Sequence, residues 1–142
     1  MNRVLHLSFS NNVEGGGVYF YLKDFTNNQK KSGIDCHWIT IKNNNNKVLT
    51  RKELVKKIIK IKPDIIHIHG VWNLGTRIIP QLKKISNNII VSPHGMLNKE
   101  SFRKSYLGKR ISFQYLKKKL YLIMFEKRNL KQIFTSRPAE NN

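Results

Sequence analysis

The chain has 142 residues, 39% of them hydrophobic, a single cysteine and a formal net charge of +19. That length suits one ordinary domain and is too short for two complete ones, and the apolar share is that of a chain that folds. Cys36, standing alone, excludes an intrachain disulfide and a cysteine-based zinc centre and points to a reducing compartment, while the longest apolar run, residues 120–125, falls far short of the roughly 20 residues that span a bilayer.

Residues 3–8 read as a short buried strand, with no leader-like charged and apolar segment ahead of them, so no secretory signal is expected. The stretch "SNNVEGGG" follows, then an amphipathic helix over residues 17–31 with Val18, Tyr21, Leu22 and Phe25 on one face. Gly33 stands where a helix C′ residue belongs, and residues 34–41 alternate as a second strand. After the asparagine tract of residues 43–46, Thr50 and Glu53 form a capping box for a helix whose buried stripe is Leu54, Ile58, Ile59 and Ile61, and Pro63 ends it.

Residues 64–69, "DIIHIH", have the apolar density of a strand covered on both faces, and Gly70 closes it. A helix is expected over residues 74–85, and a fourth strand over residues 89–92 is broken by Pro93. This alternation predicts an α/β fold: a Rossmann-like open parallel sheet with flanking helices and right-handed crossovers, its functional loops at the carboxyl ends of the strands. Residues 101–130 read as a long, basic, aromatic-rich helix, followed by a last strand over residues 132–136.

In such a sheet the loops at residues 11–17, 69–73 and 93–100 meet at one edge. Gly15, Gly16 and Gly17 either make a tight turn or let the backbone approach a ligand, freeing helix N–H groups for an anion. They match neither a dinucleotide fingerprint nor a phosphate loop. His67 and His69 share a strand face but have no acid or cysteine beside them locally, so no metal is expected. His67 reads as a hydrogen-bonded core residue and His69, beside Gly70, as a residue of the ligand edge. His94, between Pro93 and Gly95, stands where it can hydrogen-bond a substrate. Glu14 and Glu100 are the nearest acids, and nothing forces them into the spacing of a paired-carboxylate hydrolase.

Taken in order, "RVLHLSFSNNVEGGGVYFYLKDF", "KPDIIHIHGVWN", "VSPHGMLNKESF" and "FEKRNLKQIFTSRPAE" resemble the amino-terminal domain of a family 4 glycosyltransferase of the GT-B architecture, over nearly the whole chain. The resemblance implies one acceptor-side domain over residues 1–142. Its partner, a donor domain binding a nucleotide-sugar, is not in this sequence, so a truncated enzyme, inactive or nearly so alone, is expected. It implies transfer with retention and without a metal, to a glycan or lipid-linked acceptor in cell-surface polysaccharide synthesis. By the same resemblance His94 hydrogen-bonds the transferred sugar, Gly16 and Gly17 lie against donor phosphates or acceptor, His69 shapes the acceptor side, and Gly15, Gly70 and Gly95 complete the binding edge.

Between Lys99 and Lys131 eleven basic residues face two acids. This segment is either a cationic surface for an anionic membrane, which would place the protein in the cytoplasm and peripherally on the inner membrane face, or a core-packed helix with a solvated side. A separate donor-domain chain is the other implied partner. The alternative to the transferase is a non-enzymatic basic nucleic-acid-binding module using residues 109–119. It is disfavoured because no nucleic-acid motif accompanies the charge, which a lysine- and asparagine-rich composition can itself supply.

Overall fold

The four apolar runs become the strands of one parallel sheet: β1 (Arg3–Ser8), β2 (Asp35–Thr40), β3 (Ile65–His69) and β4 (Asn88–Ser92), in the order β2-β1-β3-β4. The helices between them are α1 (Gly16–Lys31), α2 (Arg51–Ile61), α3 (Leu74–Arg77) and α4 (Ile79–Leu82). These elements come from a computed structural model that describes residues 3–10, 16–42, 45–71 and 73–96. The chain divides into two compact units, Met1–His94 and Gly95–Asn142, and the sheet and its helices all lie in the first. The expectations for Glu14, Gly15, Glu100, the basic helix, the cationic segment between Lys99 and Lys131 and the last strand lie outside the described residues.

Local sequence chemistry sets the helix ends. The Thr50 side chain accepts from the Glu53 N–H at 3.3 Å while Glu53 Oε2 accepts from the Thr50 N–H at 2.8 Å, so the capping box closes in both directions. At the end of α1 the N–H of Ile34 reaches the Gln29 carbonyl and that of Gly33 reaches the Lys30 carbonyl, both at 3.0 Å. This pair of bonds needs a left-handed residue, and Gly33 supplies it at φ 77°. The helix expected over residues 74–85 is instead two single turns broken at Ile78. Pro80 has no N–H to give the Thr76 carbonyl, and its ring crowds that carbonyl, so α3 stops and Pro80 sits in the first turn of α4.

The crossover from β1 to β2 runs one way along the sheet, and that from β2 to β3 runs back. With right-handed crossovers, α1 covers one face and α2, α3 and α4 cover the other. The centre of the second face is apolar: Leu5, Leu7, Ile66 and Ile68 meet a layer that includes Leu54, Ile58, Ile78, Ile79 and Leu82, all of them 0–2% exposed, while Arg3, Asp35 and His37 share that face towards β2 as an ion-paired group. Burial of each such side chain stabilises by about 1.5–3 kcal/mol. Two residues of the expected stripes turn outward instead. Ile59 is 53% exposed and Tyr21 is 44% exposed; the buried positions of α1 are Leu22 and Thr26, one step round from the expected face.

Gly75 shows how closely α3 approaches this layer. A Cβ there would meet Asn73 Oδ1 at 3.0 Å and Ile68 Cγ2 at 3.2 Å. Asn73 cannot retreat freely, because the same oxygen caps α3 by accepting from the Thr76 N–H. Gly75→Ala is therefore expected to cost about 1–3 kcal/mol by overpacking, read as a lower urea midpoint at unchanged slope; an unaltered midpoint would show that α3 can slide outward.

Candidate functional site

The face under α1 is of a different kind. The strand registers pair His6 with Trp38 and with His67, and His69 with Ser92. Alternate residues share a face, so His6 and Ser8 of β1, Cys36 and Trp38 of β2, His67 and His69 of β3 and Ser92 of β4 all lie under α1. His6 is 0% exposed and His69 2%. Polar groups so placed need partners, and each has one.

The partners form a directed chain. Gln29 Oε1 can only accept, and it lies 2.8 Å from His6 Nε2 and 3.2 Å from the Cys36 thiol, which donates to it. His6 therefore carries its hydrogen on Nε2 and accepts at Nδ1 from His69 Nε2–H, at 3.0 Å. His69 in turn accepts at Nδ1 from His94 Nε2–H, at 2.8 Å. One amide oxygen at the buried end thus dictates three tautomers, and His94 is left with the Nδ1 lone pair as its acceptor. Beside this chain, His67 Nε2 and Ser92 Oγ are 2.7 Å apart and the His67 and His69 rings lie 4.0 Å centre to centre.

Burial holds these rings neutral. It pushes the His67 pKa down to about 4 and that of His69 to about 2, with the neighbouring histidines adding to the shift. Desolvation also lowers His6 and His94, in His6 against the opposing hydrogen bond from Gln29.

His94 is the exposed end of the chain, and its backbone is unusual: φ is 47°, followed by Gly95 at φ 75°. A non-glycine residue in the left-handed region is strained by roughly 1–2 kcal/mol. The turn directs the ring back over β3, where it stacks at 5.0 Å on His69 and lies 5.4 Å from the ring of Tyr21 on α1. Tyr21 lies flat against Phe25, and Phe25 meets His6 edge-on. The first turns of α1 and the loop after β4 therefore meet at the carboxyl edge, beside β1 and β3. Strand order reverses between those two strands, which is where open parallel sheets place their ligands.

The glycines separate by role. Gly16 needs its φ of 58° and Gly95 its 75°, yet added Cβ atoms at Gly16, Gly17 and Gly95 would meet nothing within 4 Å among the described residues. Gly17 has neither a positive φ nor a close neighbour, so packing within the described residues gives no reason for it. Gly70 lies behind the edge: it is buried at φ 88°, its N–H bonds the Ser92 carbonyl at 2.8 Å, and its carbonyl accepts from Asn73 Nδ2. His69 is likewise behind the edge, where it reaches outward only through His94. His67, expected in the core, is half-buried and held by Ser92.

His6 is the residue that sequence reading passed over. Its signal was present in the pattern: it stands two residues before the end of its strand, as His67 does in "HIH", and adjacency of the two strands pairs them. With it, three histidines present one nitrogen each within 4.8 Å of one another. No protein-family model, no curated protein and no solved structure matches this chain. The geometry defines an α/β domain with a four-stranded, all-parallel, Rossmann-like sheet, a histidine cluster under α1 and one exposed histidine, His94, at the carboxyl edge, and among the described residues no helix is long and apolar enough to cross a membrane.

Proposed function

We propose that this chain is the acceptor-side half of a retaining sugar transferase of the GT-B architecture, moving a sugar from a nucleotide-sugar to a glycan or lipid-linked acceptor for a cell-surface polysaccharide. The observation that carries the reading is His94: it is exposed at the strand-order reversal and strained into place, with its outer nitrogen kept as an acceptor by the chain behind it. A neutral imidazole so held suits a sugar hydroxyl, which donates one hydrogen bond and is not charged.

Two further features support the same substrate class. Among the described residues nothing packs against Gly16 and Gly17 at the start of the 16-residue α1, which suits the close approach of a polar ligand. Phe9, directly after β1, and Tyr21 are 50% and 44% exposed, and aromatic faces suit the apolar face of a pyranose. In this reading a donor domain supplies the groups that stabilise the departing diphosphate, and this half positions the acceptor.

The test supplies this chain together with a donor-binding half, as its longer reading frame or as a second chain, and follows label from a panel of nucleotide-sugars into lipid-linked acceptors. Transfer is expected only with both halves present, and His94→Ala is expected to lower kcat about a hundredfold. No transfer from any donor, or an unchanged rate in the variant, would overturn the reading.

A further inference from the structure

We propose that His6, His67 and His69 form a binding site for one divalent transition-metal ion of the zinc class, buried beneath α1 at the junction of β1 and β3. The inference is independent of sugar transfer and rests on the donor set and on what holds each donor. The three rings offer nitrogens that all lie within 4.8 Å of one another. Tetrahedral zinc with nitrogens at about 2.0–2.1 Å sets them roughly 3.4 Å apart, so shifts of the order of an ångström or less close the site. Three imidazoles with a fourth position left open is an established zinc donor set.

The nitrogens facing away from the centre are already engaged. His6 Nε2 donates to Gln29 Oε1 at 2.8 Å, His67 Nε2 lies 2.7 Å from Ser92 Oγ, and His69 Nδ1 lies 2.8 Å from His94 Nε2. The nitrogens left for the ion are then Nδ1 of His6, Nδ1 of His67 and Nε2 of His69. Outer partners of this kind fix ring orientation in metal centres and raise ligand basicity.

Binding has a consequence that adventitious capture would lack. Without metal, the hydrogen between His6 and His69 sits on His69 Nε2, which is the position the ion takes. That hydrogen is lost from Nε2 and regained at Nδ1, so His69 now donates to His94 Nε2, and His94 carries its own hydrogen on Nδ1. No net proton is released, and the exposed nitrogen of His94 changes from acceptor to donor. The metal and the edge are thereby coupled across two hydrogen bonds.

The full chain, without a histidine tag and stripped with a chelator, is titrated with Zn2+ by calorimetry and with Co2+ by visible absorption, while ring 15N spectra follow the histidines. The expected result is one ion per chain, tetrahedral Co2+ bands, and movement of the His94 hydrogen from Nε2 to Nδ1 on Zn2+ addition. His67→Ala is expected to weaken binding at least tenfold, with no change from His37→Ala, a surface histidine paired with Asp35. The wild-type spectra decide the matter even if His67→Ala fails to fold. Absence of binding, binding abolished by His37→Ala, or an unchanged His94 tautomer would each overturn the site.

Discussion

Held metal-free with a chelator, the protein is expected to lose thermal stability steeply as the pH falls from 7 towards 4, a loss that begins well above the range in which ordinary carboxylates titrate. The unfolded chain binds a proton on each histidine near pH 6.5, whereas folded His67 resists protonation until about pH 4 and folded His69 until about pH 2. Between those values the unfolded state holds more protons, so stability rises with pH: it is complete above about pH 6.5 and drains away as the pH falls towards the folded pKa. At about 1.4 kcal/mol per unit, His67 alone accounts for roughly 2 kcal/mol by pH 5 and roughly 3 by pH 4. His69 acts in the same direction and its loss continues further. For a domain of this size a loss of that order moves Tm down by about 10 °C or more.

Asp35, held below its usual range by its hydrogen bond with Arg3, and Glu53, held down by the Thr50 N–H, add losses that begin only in the ordinary carboxylate range and continue below it. The upper part of the histidine window, from about pH 6.5 to about 5, therefore lies above theirs. Scanning calorimetry from pH 7.5 to 4 checks this, with His67→Gln as the comparison: the variant should show a flatter slope between pH 6.5 and 4, whatever its stability at pH 7. Parallel slopes for the two proteins, or a Tm flat across the window, would mean that the cluster accepts protons without cost.

The features legible in the chain are those that depend on near neighbours. Thr50 and Glu53 are three residues apart and Gly33 sits one turn from Gln29, so their hydrogen bonds are local, and the structure has both motifs where the residues place them. The strands of "RVLHLS" and "DIIHIH" are equally plain, because sheet burial on both faces leaves a dense apolar run. The outward turn of Ile59 and Tyr21 is not, since periodicity gives a stripe and not the angle at which a helix settles on its sheet. Pro80 carries its own warning, and the apolar spacing of residues 74–85 outweighs it.

The site divides in the same way. His94 and the glycines are legible as polar and flexible residues on loops after strands. His6 and Gln29 are not, because their roles exist only once β1 lies against β3 and α1 folds back over both. His67 and His69 without His6 are two residues on one strand face; with it they become a cluster, through a contact between residues 63 positions apart.

The strongest expectation about the site concerns Gln29, which touches no edge residue. Its oxygen is the one group in the histidine series that can only accept, so it sets the direction of every hydrogen bond out to His94. Gln29→Met keeps the length of the side chain and removes that oxygen. The His6 Nε2–H is then left without an acceptor where His6 is 0% exposed, at a cost of about 1–3 kcal/mol. The cheapest escape is reversal: His6 moves its hydrogen to Nδ1 and donates to His69, which donates to His94, whose outer nitrogen becomes a donor. Metal-free Gln29→Met should accordingly show mixed or reversed tautomers at His6, His69 and His94 in ring 15N spectra, where the wild type shows one. Gln29→Glu retains an acceptor at the same reach and should retain the wild-type direction. In the transfer assay the Met variant is then expected to lose rate while the Glu variant keeps it, because acceptance by His94 Nδ1, and not the fold, separates the two. A single wild-type tautomer at His94 in Gln29→Met would show that the turn at His94 and Gly95 fixes the ring without help from the core.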